Sequence, residues 1–174
     1  VHIMHSTMPT PVLYLDLQPK NLLLYKNTIK LIDFDHAVYA DEAERLAERY
    51  GTAGCAAPEQ YTGDVLDGRT DIYAIGAVLH YMLTGHFPGE PVRPEQVKLS
   101  GITERRLMRL IRKCLQKEKD RRFQTAEELE QALQKLWEQS ENGVFQYGAK
   151  CMEESLVIAV AGSRHGVGTT HIAM

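Results

Sequence analysis

The chain has 174 residues, 44% of them hydrophobic and 25% charged, with a net charge of −3. That is enough for one globular domain with a real core, or one domain with a short piece of another. The acidic balance without a long basic run excludes nucleic acid and anionic membrane as main partners. Three separated cysteines, Cys55, Cys114 and Cys151, fit neither a disulfide framework nor a metal knuckle, and suggest a reducing, cytoplasmic setting. No apolar stretch is long enough to span a bilayer.

In chain order, residues 1–21 read as the end of a helix and a loop stiffened by Pro9, Pro11 and Pro19. The apolar runs Leu22–Tyr25 and Thr28–Ile32, separated by Lys26-Asn27, predict a β-hairpin. A polar stretch from Asp35 to Arg49 predicts a long surface loop, and the Gly-, Ala- and Pro-rich run Gly51 to Gly63 is also expected to be irregular. Three amphipathic helices follow. The first carries Ile72, Ile75, Leu79, Met82 and Leu83, with Asp71 at its start and Gly85 past its end. The second has Thr103 as its cap and a stripe of Leu107, Leu110, Ile111, Cys114 and Leu115. The third opens on a Thr125/Glu128 capping box ahead of Leu129, Ala132, Leu133, Leu136 and Trp137. These stripes are core. Residues 138–154 lose the periodicity and read as a linker. The run Leu156 to Ala161 is a buried-type strand that enters a glycine-rich turn.

The hairpin carries the chemistry. With Lys26-Asn27 as its turn, Leu22 pairs with Leu31, so Asn21 lies beside Ile32 and Asp33. Two oxygen ligands then share one end of a rigid ribbon, which suits Mg²⁺ held by few protein groups plus substrate phosphates. Asp16, on the Pro-stiffened loop, is near enough to act on a nucleophile at that place. Singly these residues read as turn polar groups; together their spacing matches a known pattern.

Tyr14-Leu15-Asp16-Leu17-Gln18-Pro19-Lys20-Asn21 resembles the catalytic loop of protein kinases, and Leu31-Ile32-Asp33-Phe34-Asp35 the metal-binding Asp-Phe-Gly segment. Gly51 to Glu59, ending in Ala57-Pro58-Glu59, resembles the end of the activation segment. Asp71 to Gly76 resembles the start of the central large-lobe helix, and Lys117 to Leu129 the closing Arg motif with the last helix. Five motifs in order resemble the eukaryotic-like Ser/Thr kinases over residues 1–137. The fold implied is mainly α, a kinase large (C-terminal) lobe with a small β-hairpin.

The resemblance implies ATP and Mg²⁺, with Asp16 accepting the proton of a protein Ser/Thr hydroxyl and Asn21 and Asp33 holding metal. It implies that Leu23 and Ile32 floor the adenine and that Thr52 ties the activation segment to the catalytic loop. Glu59 would pair with Arg122, and Asp71 would hold the loop by its backbone. The pattern is broken at Tyr14-Leu15, where the family has His-Arg, and at Gln18, where it has a phosphate-neutralising Lys. It is broken again at Asp35, where it has Gly; Asp35 either adds negative charge near the phosphates or faces solvent. The stretch from Gly85 to Ile102 is short, with room for little more than a turn.

Gly162, Gly166, Gly168, Thr169 and Thr170 follow the last strand in a pattern similar to the P-loop of partition- and septum-site ATPases, with Thr169 at the Lys position. The alternative is a Gly-rich turn of an unrelated α/β domain. Residues 155–174 would then be an incomplete α/β segment, and the chain is expected to be cut at both ends, lacking the small lobe and inactive alone. Three functions stay open: a Ser/Thr kinase in the full-length protein, a pseudokinase-type regulatory module, or a P-loop protein with a kinase-like sensor.

Overall fold

A computed structural model describes residues 1–26, 28–43, 51–89 and 102–138. Elements run α1 (His2–His5), β1 (Val12–Leu13), β2 (Leu22–Tyr25), β3 (Thr28–Leu31), β4 (Val38–Tyr39), α2 (Glu59–Thr62), α3 (Gly68–Thr84), α4 (Ile102–Cys114) and α5 (Ala126–Glu138). Helix dominates, with two small antiparallel ribbons, β1–β4 and β2–β3.

Helix α3 is the axis. Its sequence starts it cleanly: Asp67 accepts the Arg69 amide at 2.9 Å, while the Thr70 hydroxyl accepts the Asp67 amide at 3.3 Å. Asp71, expected at the helix start, therefore lies within its first turn. Gly85 ends the helix at φ +76°, a conformation suited to glycine, and its amide bonds Tyr81 O at 2.7 Å. Thr70, Asp71, Ile72, Ala74, Gly76, Ala77 and Val78 are all buried, as in a helix surrounded by protein. Gly76 permits close approach of α4, since a Cβ there would stand 2.5 Å from that of Cys114. Ile72, Cys114, Phe123 and Leu129 make the core shared by α3, α4 and α5.

The β2–β3 hairpin forms in the predicted register, Leu22 opposite Leu31 and Tyr25 opposite Thr28. Alternation puts Leu23 and Ile32 on one face and Leu22 and Leu31 on the other, where the latter pack on the core of Tyr14, Leu17, Phe34 and Val78.

Several local readings are corrected. The loops flanking the hairpin are not wholly irregular: β1 pairs with β4, Val12 with Tyr39 and Leu13 with Val38. The run from Gly51 to Gly63 contains α2. Thr103 lies inside α4 rather than before it. The third helix's box is one-sided: the Thr125 hydroxyl accepts the Glu128 amide at 3.1 Å, but the Glu128 carboxylate accepts the amide of Gln124 rather than that of Thr125. The helix extends to Glu138, one residue into the expected linker. The expected strand and glycine-rich turn of 155–174, and most of the segment between Gly85 and Ile102, lie outside the described residues.

Arg122 joins the lower part of the fold. Only 2% exposed, it donates to Glu59 Oε1 at 2.6 Å, Glu59 Oε2 at 2.8 Å, Arg69 O at 2.9 Å, Gln116 O at 2.8 Å and Lys117 O at 3.0 Å. All five guanidinium N–H groups thus have acceptors, the condition under which a buried charge is tolerated. Removing the carboxylate charge with Glu59→Gln leaves Arg122 uncompensated, so denaturant unfolding is expected to show a loss of about 3–5 kcal/mol.

Asp67 carries a second link. Burial alone would raise its pKa, but hydrogen bonds from Arg69 and Lys119 outweigh that and hold it to about 2, against an ordinary 3.8. A depressed carboxylate pKa stabilises the fold above the unfolded value, and that contribution is lost as pH falls through the folded one. Wild type and Asp67→Asn should therefore differ in unfolding midpoint at pH 7 and converge as the pH is lowered from about 4 to about 2.

Candidate active site

The segment before the hairpin is held from below by α3. The Asp71 carboxylate, 1% exposed, accepts the Tyr14 amide on Oδ2 and the Leu15 amide on Oδ1, both at 2.8 Å. His5 of α1 lies 2.8 Å from the same Oδ2 through Nε2. The Gln60 side chain caps the other side, donating to Leu15 O at 2.9 Å while its Oε1 accepts the Ala57 amide. Held this way, the chain turns sharply: Asp16 N bonds Tyr14 O at 3.0 Å, and Leu15 sits at φ +63°, a costly conformation for a branched side chain.

That turn presents Asp16. Its Oδ1 accepts the Thr52 hydroxyl at 2.7 Å, and its Oδ2 accepts Gln18 Nε2 at 2.7 Å and Asn21 Nδ2 at 3.1 Å. Asn21 Nδ2 also donates to Asp16 O at 2.9 Å. The arrangement fixes the carboxylate through three neutral donors. It also brings together four predicted site residues, Asp16, Gln18, Asn21 and Thr52. Cys55 lies close by: burial, helped by the charge of Asp16, pushes its thiol up to about 11, so it is no nucleophile.

Asp33 reaches the same place along the hairpin. The Ile32 amide bonds Asn21 O at 3.0 Å, which puts Asn21 and Asp33 at one end of the ribbon. Asn21 is buried, and its amide nitrogen is engaged with Asp16. Among the described residues no donor bonds its side-chain oxygen, and the exposed Asp33 carboxylate makes no hydrogen bond or ion pair. Two oxygen donors left over at one ribbon end fit a hard cation completed by phosphate oxygens, not an all-protein cage. Among the described residues no group of three His, Cys, Asp or Glu side chains is placed to hold a metal.

Leu23 and Ile32 are 48% and 41% exposed on their common face, above the site's ribbon. Asp35 is exposed. Glu59, Asp71 and Arg122 are buried. The glycines and threonines of the possible second phosphate loop, Gly162 to Thr170, lie outside the described residues. Sequence reasoning missed His5 and Gln60, because single polar residues on a short helix and after Glu59 carry no spacing signal. It also left Tyr14 without a role.

Asp16, Asn21 and Asp33 thus gather at one end of a hairpin over a buried helix. The protein kinase domain family matches residues 1–142, and the chain belongs to that family. Members of that family in general use ATP and Mg²⁺. The chain is similar to the serine/threonine-protein kinase PknB of Mycolicibacterium smegmatis, 31% identical over 138 residues, covering 68% of this chain and 22% of the relative. It is 36% identical over 93 residues to serine/threonine-protein kinase A of a Synechocystis species, covering 49% of this chain and 18% of that protein. A probable serine/threonine-protein kinase of Clostridium acetobutylicum is 29% identical over 134 residues, covering 68% of this chain and 20% of the relative. The chain thus spans about a fifth of the length of the curated relatives it matches. Among the described residues no helix is long and apolar enough to cross a membrane.

Proposed function

We propose that the full-length protein transfers the γ-phosphoryl group of ATP to Ser or Thr hydroxyls of protein substrates, with this chain supplying the base and metal-holding groups. The observation that carries the reading is the convergence on Asp16 of Asn21 and Thr52, with Asp33 delivered to the same ribbon end. When bound, Mg²⁺ would supply positive charge against the phosphates. Asn21 and Asp33 would hold it, each through one oxygen. Asp16 orients the acceptor hydroxyl and takes its proton as the new oxygen–phosphorus bond forms and the bond to ADP breaks. Thr52, bonded to Asp16, registers the acceptor-facing segment against that base.

Gln18 supports a second reading, a nucleotide-binding regulatory module. Its amide donates to Asp16 at 2.7 Å and brings no positive charge to the transferring phosphate. Loss of one such charge stabiliser costs on the order of 10²–10³ in rate.

The two readings separate on labelled phosphate transfer by the full-length protein. Asp16→Asn keeps the shape but removes the base, and a fall of at least about 10²-fold in transfer is expected. Equal transfer by wild type and variant would rule out the catalytic role of Asp16. Gln18→Lys should raise transfer by about tenfold or more, read as kcat. Metal-dependent nucleotide binding with no transfer in either protein favours the regulatory module.

A further inference from the structure

Helix α5 hides only part of its apolar stripe. Ala126 and Leu129 are buried against the core, but Leu133 and Trp137, further along the same face, are only half-buried. Together with Ile3 of α1, 54% exposed, and Ile75 of α3 they line a groove of about 450 Å³ that is open among the described residues. One polar tie crosses it: His2 Nδ1 lies 2.5 Å from Glu130 Oε2 and joins α1 to α5. An apolar hollow left facing water costs free energy that an occupant recovers.

The chain that leaves α5 has the composition and the length to fill it. Past Glu138 come Gln139, Ser140 and Glu141, then Asn142-Gly143, a pair that favours tight reversal of the chain. Val144-Phe145-Gln146-Tyr147 follows, and Gly148 ends the run. In an extended segment Phe145 and Tyr147 share one face, about 7 Å apart. Leu133 and Trp137, one helical turn apart, are spaced by about 6 Å along α5, so two aromatic rings meet two half-buried helix residues in step. Reach is sufficient. The run from Glu138 to Phe145 spans at most about 25 Å when extended, whereas Trp137 back to Leu129 is about 12 Å along the helix. Tethering also favours this segment over a free partner, because a short link holds it at an effective concentration on the order of millimolar.

We propose that Val144-Phe145-Gln146-Tyr147 folds back as an extended strap along α5, with Phe145 and Tyr147 seated in the groove between α1 and α5. The groove is then an interaction surface for the chain's own continuation. It shares α1 with the candidate site, since His5 of that short helix meets Asp71. The chain beyond α5 therefore bears on a helix that helps hold the segment before the hairpin. This holds whether or not the site transfers phosphate.

The test uses the full-length protein carrying Phe145→p-benzoylphenylalanine, irradiated and mapped by peptide mass spectrometry. Cross-links within one chain to α1, or to α5 between Leu129 and Trp137, are the expected result. Cross-links only to other parts of the protein, only to a second copy, or none at all overturn the proposal. A second measurement reads the same contact without the probe. Phe145→Ala removes the ring from the strap and leaves every described contact of the fold in place. Digestion between residues 139 and 148 by a low-specificity protease is expected to speed up about tenfold or more, the ratio that burial of one aromatic side chain supplies. Leu133→Glu, changed from the groove's side, should bring a similar increase. Cleavage at the wild-type rate in both variants overturns the proposal.

Discussion

Everything at the site is referred to one buried carboxylate. Asp71 has no solvent to answer its charge, and its compensation is the two backbone amides of Tyr14 and Leu15 together with His5. Leaving any of these donors unmatched in a dry interior costs about 1–3 kcal/mol. Asp71 in turn is carried in the first turn of a helix whose run from Thr70 to Val78 is largely buried, so it cannot follow a moving loop. The loop must come to it.

From that anchor the geometry propagates through short bonds. Fixing Tyr14 and Leu15 forces the tight turn that turns out Asp16. Asp16 then gathers Gln18, Asn21 and Thr52, and Asn21 passes the register on to Ile32 and Asp33. Asp16, Asn21, Asp33 and Thr52 are therefore not independent features of separate loops. They are successive links on one hydrogen-bonded path from a rigid helix. The buried Glu59–Arg122 pair plays the same part lower in the fold, locking α2 to the chain before α5.

The elements with strong local signals were legible in the sequence. Two apolar runs around Lys26-Asn27 fixed the hairpin register, and periodic stripes with a glycine stop or a threonine start marked α3 and α5. The ribbon β1–β4 was not legible, since two-residue strands owe their existence to a partner more than 20 residues away. The start of α3 was misplaced because Asp71 resembles a cap by type, whereas Asp67 caps and Asp71 serves the loop. At the site, Asp16, Asn21, Asp33 and Thr52 stood out by spacing. Gln60 and His5 did not, because their partners are backbone atoms or a residue 66 positions away. Tyr14 was visible only as a departure from a pattern.

The central claim is that Asn21 and Asp33 form one oxygen-ligand pair beside Asp16. A crystal structure of the full-length protein with Mg²⁺ and a non-hydrolysable ATP analogue tests it most directly. The account predicts a cation within about 2.0–2.1 Å of one side-chain oxygen from Asn21 and one from Asp33, completed by phosphate oxygens and water. A metal-nucleotide complex bound with neither residue in contact would contradict it.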